Sequence, residues 1–102
     1  MFISLFLYTK DKNCAQLITS KILNLLNISD IVNIESEPYW KYSDMFKVEI
    51  KTNMKNYPNE NILKKVADKW EVYSDKILTS DTITDNKIYI SDVAMINIVM
   101  RI

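Results

Sequence analysis

An α+β domain, an antiparallel sheet with two helices packed on one face, is the fold that the hydrophobic periods of this 102-residue chain predict. Two windows, residues 14–26 and 59–70, repeat apolar side chains at helical spacing. Four short runs rich in β-formers surround them, at residues 2–8, 31–36, 45–52 and 93–101. In chain order these read β-α-β-β-α-β, which most simply closes as a ferredoxin-like sheet. Residues 71–90 hold more strand-like sequence, so an extra C-terminal strand or hairpin is expected. The second face of the sheet is left for solvent or for a partner.

Residues 2–8, Phe-Ile-Ser-Leu-Phe-Leu-Tyr, are almost wholly apolar, as a central strand requires. Asp11 or Asn13 can then cap a helix. In that helix Cys14, Leu17, Ile18, Ile22, Leu25 and Leu26 fall on one stripe, which places Cys14 in the core as a small hydrophobe. Asn27 is a suitable stop in a chain without glycine. Residues 31–36 and 45–52 read as a hairpin. In its second strand Phe46, Val48 and Ile50 alternate with Lys47, Glu49 and Lys51. Pro38 ends or bends the first, because proline gives no ladder hydrogen bond.

A polar connection over residues 52–61 leads to the second helix, with Ile62, Leu63, Val66 and Trp70 on one face. Trp70 is expected in the core. Residues 71–80 read as a strand or an irregular extension, 81–86 as a turn and 87–90 as a short strand. In the last strand Ala94, Ile96, Ile98 and Met100 share a face. No repeat or linker interrupts the chain, so a single domain is expected over residues 1–102.

Composition excludes several functions. Histidine is absent, which removes the commonest general base and the commonest metal ligand. Glycine is absent too, which rules out the P-loop and the dinucleotide fingerprint. No cofactor is expected. Thirteen basic and thirteen acidic residues cancel and are interleaved, giving no electrostatic footprint for nucleic acid or an anionic membrane. The apolar N-terminus has no basic flank and no cleavage site, and it is too short to span a bilayer. With one cysteine and no intrachain disulfide, a cytoplasmic protein is expected.

No residue stands out as catalytic or metal-ligating. Glu35, Glu37, Asp44 and Glu49 read as a solvated strand face rather than an acid–base pair. The spacing of Asp75, Asp81, Asp85 and Asp92 does not match a calcium loop. The strand order invites an RNA-recognition reading, with residues 5–8 and 45–50 in place of its two motifs. The motif glycines are missing, however, and Glu49 replaces an apolar or aromatic position.

The hairpin turn is the most distinctive surface. Tyr39, Trp40 and Tyr42 surround Lys41, a composition typical of an interface hot spot. Alternatively, Trp40 folds back and caps the sheet. On the first reading the aromatics are anchors, and Glu35, Glu37 and Asp44 offer carboxylates to a basic partner surface.

The chain's last third carries Trp70-Glu71-Val72-Tyr73, a polar turn, and then Tyr89, Val93 and Ile98 in an aromatic-x-x-x-Val-x-x-x-x-Ile pattern. This resembles small bacterial immunity proteins of contact-dependent growth inhibition and other polymorphic toxin systems, although Met95 stands where these often have tryptophan. The resemblance implies a non-enzymatic inhibitor that binds a cognate toxin C-terminal domain and covers its active site or substrate-binding surface. Two alternatives follow from the residues alone. One is a ligand-binding or regulatory domain that dimerises through its sheet; the other is an enzyme working with carboxylates only.

Overall fold

The computed structural model describes residues 1–74, 76–83 and 85–100. Its elements are β1 (Phe2–Leu7), α1 (Lys12–Leu25), β2 (Ile31–Pro38), β3 (Phe46–Thr52), α2 (Glu60–Leu63), β4 (Glu71–Ser74), β5 (Ile77–Asp81) and β6 (Val93–Val99). The strands form one six-stranded sheet in the order β2-β3-β1-β6-β5-β4. Every neighbouring pair is antiparallel, so the fold is α+β. The expected extra hairpin exists as β4–β5, within residues 71–81 and ahead of the closing strand.

Strict alternation places the core. Ile3, Leu5 and Leu7 of β1 are buried, and the register sets Ile50, Val48 and Phe46 beside them on one side. Ile98 and Ile96 lie on the other. The helix α1 contributes Ala15, Ile22 and Leu23, while Leu63 of α2 and the following Val66 join the same cluster. The hairpin expectation holds here: Phe46, Val48 and Ile50 point inward, and Pro38 is the last residue of β2, paired with Phe46.

The stripe of α1 is turned relative to its expected position. Cys14 is exposed and Leu17 is 72% exposed, whereas Ala15 and Thr19 are buried. Thr19 looks polar in a hydrophobic pattern. Its hydroxyl donates to the Ala15 carbonyl at 2.7 Å, which satisfies it within the helix and lets its methyl enter the core. At the start of α1 the Asp11 side chain accepts the Asn13 N–H at 2.9 Å. At its end Asn27 takes the left-handed conformation, φ 54°. The Ile28 N–H reaches the Leu23 carbonyl and the Asn27 N–H that of Asn24, forming a Schellman closure with asparagine in the place of glycine.

The second helix is much shorter than the expected 59–70. Asn59 caps α2 by accepting the Ile62 N–H at 3.0 Å, but the N–H groups of Lys65 and Val66 turn to carbonyls three residues back, so the last turn is irregular. The chain then leaves the helix because other partners claim its backbone. The Val66 carbonyl accepts the Tyr89 N–H and the Asp68 N–H donates to the Lys87 carbonyl, around an Ala67–Ile88 bridge. Trp70 is half-buried against the core, and its indole N–H takes the Leu63 carbonyl at 3.0 Å. The strand expected at residues 87–90 is reduced to that bridge. In the stretch expected at residues 71–80 lie the strands β4 and β5, paired as a hairpin. Asp75, Thr84 and Arg101, from the expected extension, turn and last strand, lie outside the described residues.

Candidate partner-binding face

Among the described residues the sheet is covered on one side only. On the other, the register lines up three cross-strand rows: Asn33–Lys51–Phe2–Val99–Ile77, Glu35–Glu49–Ser4–Asn97–Thr79–Glu71 and Glu37–Lys47–Phe6–Met95–Asp81. Charge is uneven in these rows although the chain is neutral. Glu35, Glu37, Glu49, Glu71 and Asp81 are carboxylates, against the ammonium groups of Lys47 and Lys51. Such a face attracts a cationic surface and repels a phosphate backbone.

Local pairs fix parts of it. Lys47 Nζ lies 2.8 Å from Glu49 Oε1, and this hydrogen bond holds the lysine above its ordinary pKa. The Glu35 carboxylate accepts the Asn33 side-chain amide at 3.0 Å. Thr79 Oγ1 donates to Asn97 Oδ1 at 2.9 Å, tying β5 to β6. On the edge, the Tyr73 hydroxyl donates to Glu71 at 2.7 Å, which raises the phenol's pKa.

The row through Phe6 lies beside the β2–β3 turn, where the aromatic residues gather. The turn is closed at its neck by the Tyr39 N–H to the Met45 carbonyl at 2.8 Å. This directs the Tyr39 ring over the sheet, edge to face with Phe6 at 5.2 Å between centroids. Trp40 and Tyr42 follow at 6.0 and 5.9 Å from Tyr39. Beside them an open groove of about 530 Å³ is lined by Phe6, Tyr8, Tyr39, Lys41, Tyr42, Asp44, Met45, Ile83, Ala94 and Met95.

The structure therefore brings together Tyr39, Tyr42 and Asp44 of the sequence-derived candidates. Glu37 lies on the adjoining strand opposite Lys47. Trp40 does not cap the sheet, as its 86% exposure shows; Tyr39 takes that place. Glu35 sits one row away, opposite Glu49. Sequence reasoning missed Phe6, Tyr8, Met95 and Ile83. For Phe6, Tyr8 and Met95 the alternation of residues 2–8 and 94–99 was the available signal, since it turns these positions away from the core; Ile83 lies beyond β5 and had none.

The remaining chemistry is sparse. Cys14 is exposed, and its thiol donates to Asp11 at 3.5 Å. The pKa of Cys14 is raised, first by that hydrogen bond and then by the Asp11 charge, opposite to the lowering expected from a helix N-terminus. Among the described residues no group of three or more His, Cys, Asp or Glu is placed to hold a metal ion. No helix among them is long and apolar enough to cross a membrane. Comparison with protein-family models, curated proteins and solved structures finds no match to this chain.

Proposed function

We propose that this chain is an immunity protein, which binds a cognate bacterial toxin domain through the uncovered face of its sheet and blocks that domain without catalysis. One observation carries the reading: an acidic, uncovered sheet face ends in a group of accessible aromatic side chains. Tyrosine and tryptophan anchors bury large areas at small entropic cost, and a surrounding field of one sign speeds encounter with an oppositely charged partner. The partner is thus a protein with a basic surface, and the cytoplasm is where such an inhibitor acts. The strand order β2-β3-β1-β6 supports a ferredoxin-like core widened by the β4–β5 hairpin.

The test has two stages. The tagged protein captures its partner from a lysate of the source organism, and the partner is identified and assayed for toxicity with and without the inhibitor. The expected result is a basic toxin domain, neutralised at equimolar ratio, with dissociation constant on the order of nanomolar. Charge reversal at Glu37 and Asp81 is expected to slow association about tenfold at low salt and to flatten its salt dependence. A toxin bound equally well by the charge-reversed protein would overturn the use of this face. Recovery of no toxin would overturn the immunity reading.

A second reading rests on β2. This edge strand exposes Ile31, Val32 and Ile34 and has no neighbouring strand on its outer side among the described residues. Exposed apolar edges pair with other strands. A concentration-dependent mass in sedimentation, lost on Ile34→Lys, would favour a domain that dimerises through its sheet.

A further inference from the structure

We propose that the groove beside Tyr42 seats an arginine side chain of the basic protein partner, a step that rests on the partner-binding reading above. Its lining combines aromatic rings with a carboxylate: Tyr39, Tyr42 and Phe6 together with Asp44. A guanidinium fits that combination, because it is flat and weakly hydrated, stacks on aromatic rings and pairs with a carboxylate through a fork of N–H donors. An ammonium group is more strongly hydrated and gives no fork, so lysine fits less well.

The molecule itself shows that these rings take cations. Lys47 Nζ lies 5.8 Å from the Phe6 centroid and Lys41 Nζ lies 6.0 Å from that of Tyr42. The two lysines differ in how firmly they are held. Lys47 is locked by Glu49, whereas Lys41 is exposed and makes no ion pair among the described residues. Lys41 is therefore a placeholder over Tyr42. It occupies the ring in the free protein and leaves when a better cation arrives.

A placeholder has an unusual consequence. Deleting it removes a competitor and a like charge, so Lys41→Ala is expected to tighten binding, where loss of an ordinary contact would weaken it.

The probe is acetyl-Gly-Arg-Gly-amide, titrated to about 20 mM and followed by NMR of the tyrosine and phenylalanine ring protons, with the citrulline peptide as its uncharged isostere. Millimolar affinity is the scale for one anchoring side chain. The expected result is saturable shifts at Tyr39, Tyr42 and Phe6, about tenfold weaker for citrulline. Lys41→Ala is expected to tighten binding about twofold and Asp44→Asn to weaken it about fivefold. Shifts that never saturate, equal binding of citrulline, or tighter binding in neither the Lys41→Ala nor the Lys41→Gln protein would overturn the proposal. Its failure is distinguishable from failure of the immunity reading. In the first case a captured toxin still binds and still responds to charge reversal on the sheet face. In the second no toxin is recovered, whatever the peptide does.

Discussion

The Phe6 ring on the central strand and the Tyr39 ring at the start of the β2–β3 turn meet edge to face, 5.2 Å apart. This contact joins the turn to the middle of the sheet and separates two aromatic roles. Tyr39 packs on Phe6 of the sheet; its neighbour Trp40, 86% exposed, meets the Tyr39 ring but does not cover the sheet. Truncating the two is expected to have different effects on stability. Tyr39→Ala loses an aromatic pair and the area it covers, and is expected to cost about 1–2 kcal/mol. Trp40→Ala is expected to change stability by less than about 0.5 kcal/mol. Urea unfolding midpoints of the two variants check this, and equal losses would show that Trp40 also supports the fold. If the difference is found, any loss of partner affinity in Trp40→Ala reports binding alone.

Asn86 takes on the work of a strand in the region where the chain has little regular structure. Its amide N–H groups reach Ser80 Oγ and the Asp81 carbonyl at 2.8 Å each and the Lys69 carbonyl at 3.3 Å. Its oxygen accepts the Lys69 N–H at 2.9 Å. One side chain thus ties the entry of β4 to the end of β5. Asn86→Ala removes the bonds to the Lys69 N–H and the Asp81 carbonyl, while Ser80 Oγ still holds the Lys69 carbonyl, and is expected to cost about 1–2 kcal/mol. Amide hydrogen exchange should rise most in β4 and β5, with β1 and β3 little changed; uniform loss across the sheet would contradict this local role.

Much of the fold is legible because burial is alternating and the core is apolar. The rows Phe46-x-Val48-x-Ile50 and Ala94-x-Ile96-x-Ile98 state their inward face directly. Where the expectation failed, polar atoms found partners that a hydrophobic pattern does not show. Thr19 is buried with its hydroxyl bonded to its own helix, on a face that also holds Ala15 and is turned away from Cys14 and Leu17. The second helix gives way where residues 87–89, about twenty positions on, claim the backbone of Val66 and Asp68. The aromatic turn was visible as a cluster of types. Its other wall, Phe6, Tyr8 and Met95, was not, since it depends on the pairing of β1 with β6.

Asn27 closes α1 with φ 54°, a conformation that costs a residue with a Cβ about 1 kcal/mol unless it is asparagine or glycine. Asn27→Gly is expected to leave stability unchanged or raise it slightly, while Asn27→Ala is expected to lower it by about 1 kcal/mol. Thermal melts of both variants decide the matter. A stable alanine variant would mean that the Schellman closure carries little of the helix's stability.

Cys14 offers a test of electrostatics at a single exposed atom. Its thiol donates to Asp11 Oδ2, and the carboxylate both holds the proton and opposes a second negative charge nearby. The sign follows directly: a raised pKa means less thiolate at a given pH, and the thiolate is the nucleophile. Alkylation by iodoacetamide at pH 8 is therefore expected to be slower than for an unstructured cysteine peptide, with its pH–rate profile displaced upward. Asp11→Asn removes the charge but keeps a good helix cap, so α1 should persist by circular dichroism. In that variant the profile should move down and the rate at pH 8 rise about threefold. Added salt should narrow the gap between the two proteins, because part of the effect is Coulombic at an exposed site. A rate unchanged by Asp11→Asn would mean that the helix N-terminus, rather than the capping carboxylate, sets the thiol's acidity.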